Sequence, residues 1–425
     1  MGAGAAVTTP PMSEPVRRRE LCRVCGGADL PTFLDLGAQP PANALLRPEE
    51  LSRPEERFPL ALCRCPRCQL IQLTHVVAPD RLFRNYVYFS SVSQAMARHF
   101  AALAREVADR FVPAGGLVME LGSNDGILLR SLLGRNVRIL GVDPAQNVAE
   151  VARRNGVPTI ADFFSADLAR RIREEHGRAH ALHANNVFAH IDDLDDVMRG
   201  VDEVLDDRGV FVIEAPYVVD LLEHLEFDTV YHEHLSYLAV RPVAHLFERF
   251  GFEVFEVQHQ PVHGGTLRVF GRKRRPGNPP VDPSVERFLE AERAAGTADP
   301  ARLAAFAFAV QALREELRQA VRGLRDSGKR VAGYTAPAKG TVLLNYCGFG
   351  TEEIEYLADA TPAKQGLYCP GVRIPIHPIE RFRADPPDVA LLLAWNHADE
   401  ILQKEGAFRE GGGKFLVPLP KVHLV

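Results

Sequence analysis

The period of the hydrophobic positions changes along the chain. Met96, Phe100, Leu103, Val107 and Phe111 recur at steps of four, three, four and four, which is one face of a helix, and Pro113-Ala114-Gly115-Gly116 ends it. Short apolar runs then alternate with helical stretches. Strands are predicted at 117–121, 137–142, 181–184, 210–214, 252–257 and 266–271, and helices around 127–133 and 194–205. That alternation marks a mainly parallel α/β sheet. The last two strands are joined too closely for a crossover helix, so they should form an antiparallel hairpin at the sheet edge. Residues 272–284, basic and proline-rich, read as a boundary. Leu303, Phe306, Val310, Leu313, Leu317, Val321 and Leu324 then mark one long helix. From Lys329 a second α/β unit opens, with a strand at 330–334, a Gly/Ala/Pro/Lys turn, a helix and further short strands, including the apolar run 389–395.

Composition narrows the class. With 46% hydrophobic and 25% charged residues, the 425-residue chain is neither disordered nor fibrous. A net charge of −5 carries no sign of nucleic-acid binding. The clearest apolar run, 389–395, is far short of the ~18 residues of a membrane span. Residues 1–20 lack the apolar centre of a signal peptide and are expected to be a disordered leader on a cytoplasmic, monomeric protein with no membrane or nucleic-acid partner.

Five of the seven cysteines lie between Cys22 and Cys68. Cys22-Arg-Val-Cys25 and Cys65-Pro-Arg-Cys68 each place two thiolates on one tight turn, and two such knuckles facing each other make a tetrahedral cage suited to zinc. Disulfides are disfavoured in a cytoplasmic setting, and a redox motif needs only one knuckle. Cys63 competes as a ligand, but Cys65 is the expected one because its spacing to Cys68 matches the first knuckle. A closed four-thiolate site leaves no position for substrate, so its role is structural.

Glu120-Leu-Gly122-Ser-Asn124-Asp125-Gly126 closes the first strand of the middle unit and opens a helix. It is not the G-x-G-x-x-G of dinucleotide binders, and the acids around it suit a ligand carrying an amino group better than a pyrophosphate. Asp143 ends the second strand, where a carboxylate accepts from ribose hydroxyls, and Asp162-Phe163 could hold an adenine. With Asn185 at a later strand end, these positions point to S-adenosylmethionine, and the turn resembles motif I of class I methyltransferases.

The segment Glu226-Phe-Asp-Thr-Val-Tyr231-His232-Glu233-His234-Leu-Ser-Tyr237 is dense in titratable groups, and His190 follows another strand. A second metal through His232 and His234, acid–base catalysis, and plain packing all compete, with acid–base work the better fit because imidazole titrates near neutral pH. His263-Gly264-Gly265 either lines the site mouth or makes a tight turn. Lys339, Lys364, Gln365 and Asn396 lie at strand ends or a helix start in the last unit, where phosphates can be held or where lysines are simply solvated.

The order of zinc knuckles, ELGSNDG, EAPY, EFDTVYHEHLSY, HGGTLRV and a second Rossmann-like unit resembles the sugar C-methyltransferases of antibiotic deoxysugar biosynthesis, from Cys22 to the C-terminus. The resemblance implies an α/β fold with a zinc-binding module (21–90), a class I methyltransferase domain (91–275), a linker and long helix (276–327) and a C-terminal Rossmann-like domain (328–425). It implies a TDP-linked 4-keto-deoxysugar as substrate. It further implies His234 as the base, Tyr231 on the keto oxygen, Glu233 and His190 orienting the site, and Tyr86 or Tyr88 reaching the sugar. An O- or N-methyltransferase, or a non-catalytic zinc adaptor, would share part of this pattern.

Overall fold

The computed structural model describes residues 14–83, 94–262 and 264–425. Its centre is a seven-stranded sheet in the order Phe252–Gln260, Thr266–Lys273, Leu205–Pro216, Ala179–Asn185, Leu117–Leu121, Arg138–Val142, Thr159–Ile160. The last five strands run parallel, and the first two form an antiparallel hairpin at the edge, as their short connection predicts. Gln94–Phe111 covers one face by burying Met96, Phe100, Leu103 and Val107 against Val118, Ala181 and Val212. The other face packs on Leu194–Val204 and on the knuckle residues Cys22, Val24, Cys65 and Cys68, so the N-terminal module shares this core.

The N-terminal module is an antiparallel sheet ordered Thr32–Gln39, Phe58–Arg64, Ile71–Leu73, Ser236–Tyr237. Its last strand is borrowed from the end of the histidine-rich segment, so that segment is stitched into the module by main-chain hydrogen bonds. The C-terminal sheet runs Ile376–Pro378, Leu357–Asp359, Val331–Tyr334, Val389–Leu392, Lys414–Val417, His423–Leu424, parallel except for its last strand. Pro300–Asp326 joins the parts. Asp299 caps its first turn by accepting from the Ala301 N–H, and Pro300 sits where a missing N–H costs nothing. Leu303, Phe306, Val310, Leu313, Leu317 and Val321 enter a core shared with the module sheet, with Phe227, Val230 and Leu235, and with Leu343 and Leu357. Burial of each is worth about 1.5–3 kcal/mol. A charge at Val310 would break the joint.

The structure departs from the expectations in three places. Val16–Arg18 is a strand paired with His75–Val77, so the disordered leader does not extend over these residues. The stretch read as linker contains a helix, Ser284–Ala295, whose apolar residues are only partly buried and leave a weak periodic signal. Thr159–Ile160 is too short to show as a strand in sequence. No helix among the described residues is long and apolar enough to cross a membrane.

Candidate functional site

The four knuckle cysteines, Cys22, Cys25, Cys65 and Cys68, bring their Sγ atoms within 4.8 Å of one another. A tetrahedron of thiolates about 2.3 Å from zinc has edges of about 3.8 Å, so the cluster fits this metal. The turns are built for it. Gly26 takes φ +67°, and a Cβ on Gly27 would lie 3.1 Å from the Arg67 side chain while only touching the sulfurs of Cys25 and Cys65. Cys63 lies on the Phe58–Arg64 strand with its thiol toward the Gln72 carbonyl, outside the cluster. Among the described residues this is the one cluster with metal-ligand geometry. His232 and His234 do not form a second. His232 turns away and donates from Nε2 to the Phe58 carbonyl at 3.2 Å, and burial lowers it to about 4.

One cleft of about 680 Å³ lies where the three sheets meet, within the range of small-molecule sites. Its floor is the carboxyl edge of the central sheet, where Glu120, Gly122, Asn124, Asp143, Asp162, Phe163 and Asn185 all line the wall. Gly122 holds φ +64°, and a Cβ there would lie 2.6 Å from Val187. Asn185 Nδ2 donates to Glu120 Oε1 at 3.2 Å. Burial pushes the Glu120 carboxyl well above the usual range. Asp143 takes the Asn124 N–H on one oxygen and the Ala145 N–H on the other, both at 2.9 Å. Glu120 Oε2, Ser123 Oγ and Asn185 Oδ1 are buried without a hydrogen-bond partner. A ligand with amino and hydroxyl groups satisfies such atoms, so the wall fits S-adenosylmethionine. Asp125 and Gly126 do not line the cleft. Asn124 adopts φ +50°, the Asp125 side chain is buried, and Gly126 serves as the left-handed residue before helix Ile127–Arg130.

Above this wall stand Thr229, Tyr231 and His234. The strand pairing of Ser236–Tyr237 and the Leu73 N–H to Leu235 carbonyl bond at 3.0 Å fix the segment. His234 Nδ1 lies 2.9 Å from the Thr229 carbonyl. A carbonyl only accepts, so Nδ1 carries the proton and Nε2 is the basic nitrogen. The His234 ring sits 3.9 Å from Tyr231 and 5.1 Å from His190, which stacks in turn on Phe83 at 5.7 Å. Burial lowers His190 to about 4, so its ring is neutral at neutral pH. Glu233 does not line the cleft. It is buried and accepts from Asn43 Nδ2 at 2.7 Å, and Asn43 does line it.

The opposite end belongs to the C-terminal sheet. Pro337, Ala338 and Lys339, at the start of helix Ala338–Cys347, line it with Lys364, Asn396 and His397. Lys339 Nζ lies 4.7 Å from the centre of the Trp395 ring, and Trp395 Nε1 donates to buried Asp228 at 2.7 Å. Lys364 Nζ donates to the Ala336 carbonyl at 2.8 Å. Gln365 does not reach the cleft, because its amide bonds the Asp359 carbonyl of its own loop. Tyr86, Tyr88 and His263 lie outside the described residues. Asn43, Arg17 and Asp192 also line the cleft. Their isolated positions in sequence carried no signal; only the folding of the N-terminal module against the central sheet brings them there.

Three family models match in succession: a zinc binding domain at 22–83, a methyltransferase domain at 94–257 and a C-methyltransferase C-terminal domain at 261–420. The C-methyltransferase NovU of Streptomyces niveus is 40% identical over 97% of this chain and 99% of its own length. Solved structures are more distant. An S-adenosylmethionine-dependent methyltransferase from Anabaena variabilis covers 42% of this chain and 84% of its own at 15% identity and a TM-score of 0.34. Magnesium protoporphyrin IX methyltransferase from Synechocystis covers 42% and 79% at 12% identity and a TM-score of 0.31. Likenesses this slight carry no inference. The cofactors are S-adenosylmethionine and a structural zinc, and the near full-length match, together with the three domain models in order, places the chain in the family of S-adenosylmethionine-dependent C-methyltransferases.

Proposed function

We propose that the enzyme methylates a carbon next to the keto group, C-3, of a TDP-linked 4-keto-deoxysugar through an enolate. The observation that carries this reading is the His234 ring, proton-bearing at Nδ1, basic at Nε2 and on the wall of the cleft shared with Glu120 and Asn185. A ketone acidifies its neighbouring C–H, and an imidazole base positioned there contributes roughly 10²–10⁴ in rate. Nε2 takes the proton while the Thr229 carbonyl holds the Nδ1–H and stabilises the resulting imidazolium. Tyr231 hydrogen-bonds the developing enolate oxygen. Neutral His190 packs against His234 and keeps it facing the substrate. When bound, S-adenosylmethionine supplies an electrophilic methyl to the sugar carbon.

The nucleotide end suits a pyrophosphate. The first turn of helix Ala338–Cys347 presents its amides beside Lys339 and Lys364, and Asn396 adds a polar group. Tyr86 and Tyr88 are proposed sugar contacts on the family resemblance alone, and His263 as a residue of the site mouth from its place before an edge strand. The test is incubation with S-adenosylmethionine and a panel of TDP-4-keto sugars, followed by NMR of the product. A new C–CH3 with loss of the α-proton supports the reading; an O- or N-methyl product with the α-proton retained overturns it.

A further inference from the structure

Asn43 sits in the turn between strand Thr32–Gln39 and the short helical turn Pro48–Glu50, yet it shares the cleft wall with Thr229, Tyr231 and His234. Its Nδ2 donates to Glu233 Oε1 at 2.7 Å. Glu233 is buried and stands between His232, which faces Phe58, and His234, which faces the cleft. Glu233 Oε1 accepts from Nδ2, which fixes which end of the Asn43 amide faces it. The donor end is held by Glu233. Among the described residues no protein donor reaches Oδ1 of Asn43, so the acceptor end is left for whatever occupies the cleft.

We propose that Asn43 is a specificity-determining residue whose Oδ1 accepts a hydrogen bond from a hydroxyl or amino group on the sugar ring, with Glu233 as the positioning residue that fixes the amide in this orientation. The inference rests on the sugar-methylating reading above and adds to it which substituents are read. A substrate lacking the donor leaves a desolvated acceptor without a partner, and that loss is what discriminates between substrates. Glu233 thereby gains a role that does not require it to touch substrate. Its Oε1 accepts from the amide nitrogen and so sets the orientation of the amide.

The experiment uses the full-length, zinc-loaded enzyme and three TDP-4-keto sugars that differ only in carrying –OH, –NH2 or –H at one ring carbon. The wild-type enzyme is expected to favour one donor-bearing sugar over the –H sugar by about tenfold in kcat/KM. In N43A that preference collapses toward unity, with the loss in KM rather than in kcat. In E233Q the preference also falls, because a glutamine can either donate or accept and so releases the Asn43 amide to both orientations. A purely structural role for Glu233 would lower activity on all three sugars alike and leave the preference unmoved. Calorimetry with S-adenosylmethionine reports folding of each variant; where N43A does not bind the cofactor, the near-isosteric E233Q carries the test. Whether the –OH or the –NH2 sugar holds the preference identifies the donor. An absent preference in the wild type, or one unmoved by either substitution, overturns the Asn43 assignment alone. Failure of the wild type to methylate any of the three overturns the sugar reading, and the assignment with it.

Discussion

His183, paired with Glu120 across the sheet, offers a test of the buried electrostatics beneath the cleft. It lies on strand Ala179–Asn185, two residues before cleft-lining Asn185, with 0% of its surface exposed and neither ring nitrogen hydrogen-bonded. Burial lowers it to about 4, with Glu214 opposing and Arg268 reinforcing the shift. Because the folded pKa lies below the unfolded value of about 6.5, the unfolded chain takes the proton first as pH falls. Stability from a neutral His183 is therefore intact above about pH 6.5 and drains away toward pH 4. Between pH 8 and pH 5 linkage gives a loss of about 2 kcal/mol for this one group. His190 and His232, both lowered to about 4, act in the same direction, whereas Glu226, pushed up to about 7, gains stability on acidification. A variant comparison isolates His183 from these. His183→Leu removes the titrating ring at nearly constant volume. Urea unfolding at pH 8 and pH 5 should show the variant losing about 2 kcal/mol less than the wild type over that interval. Equal losses in the two proteins would refute the assignment of a buried, neutral His183.

Three further outcomes follow from the geometry. Cys68→Ser should abolish stoichiometric zinc and collapse the near-ultraviolet dichroism, because the knuckles share a core with the central sheet; a zinc-free variant with an unchanged melting temperature would contradict this. Gly122→Ala should weaken S-adenosylmethionine at least tenfold by calorimetry, since a left-handed alanine costs about 1–2 kcal/mol and the overlap with Val187 about 1–3 more; an unchanged affinity would contradict it. Lys339→Met should raise the KM for the sugar nucleotide about tenfold while cofactor affinity holds, as expected for loss of one charge-assisted phosphate contact; an unmoved KM would remove Lys339 from the nucleotide site.

What could be read from sequence was whatever repeats at short range. The helix faces of 94–111 and 300–326, the edge hairpin and the two knuckles all announce themselves within a few turns of chain. That Glu120, Gly122 and Asp143 line one cleft was legible because a strand–turn–helix places them at one sheet edge by topology alone. Orientation within a turn was not. Asp125 is buried beside a left-handed Asn124, and Gln365 bonds its own loop. Long-range pairing was also hidden. Nothing local in Gln39-Pro-Pro-Ala-Asn43 tells that Glu233, 190 positions later, will hold its amide. Nor does the local sequence show that Arg17, Arg19 and Arg23 converge on Asp192, two residues beyond His190. Cys65 was chosen over Cys63 on spacing alone, and the cluster bears this out, with Cys63 pointing to Gln72 instead.

The central claim is that Nε2 of His234 removes the proton that makes a sugar carbon nucleophilic. It is tested most directly by hydrogen exchange at that carbon in D2O, with the TDP-4-keto sugar bound and S-adenosylhomocysteine in place of the methyl donor, so that proton removal is read apart from methyl transfer. His234→Asn keeps a donor for the Thr229 carbonyl and deletes Nε2. The account predicts exchange in the wild type and a fall of about 100-fold or more in H234N, with S-adenosylmethionine affinity retained. Exchange in H234N at the wild-type rate would contradict it.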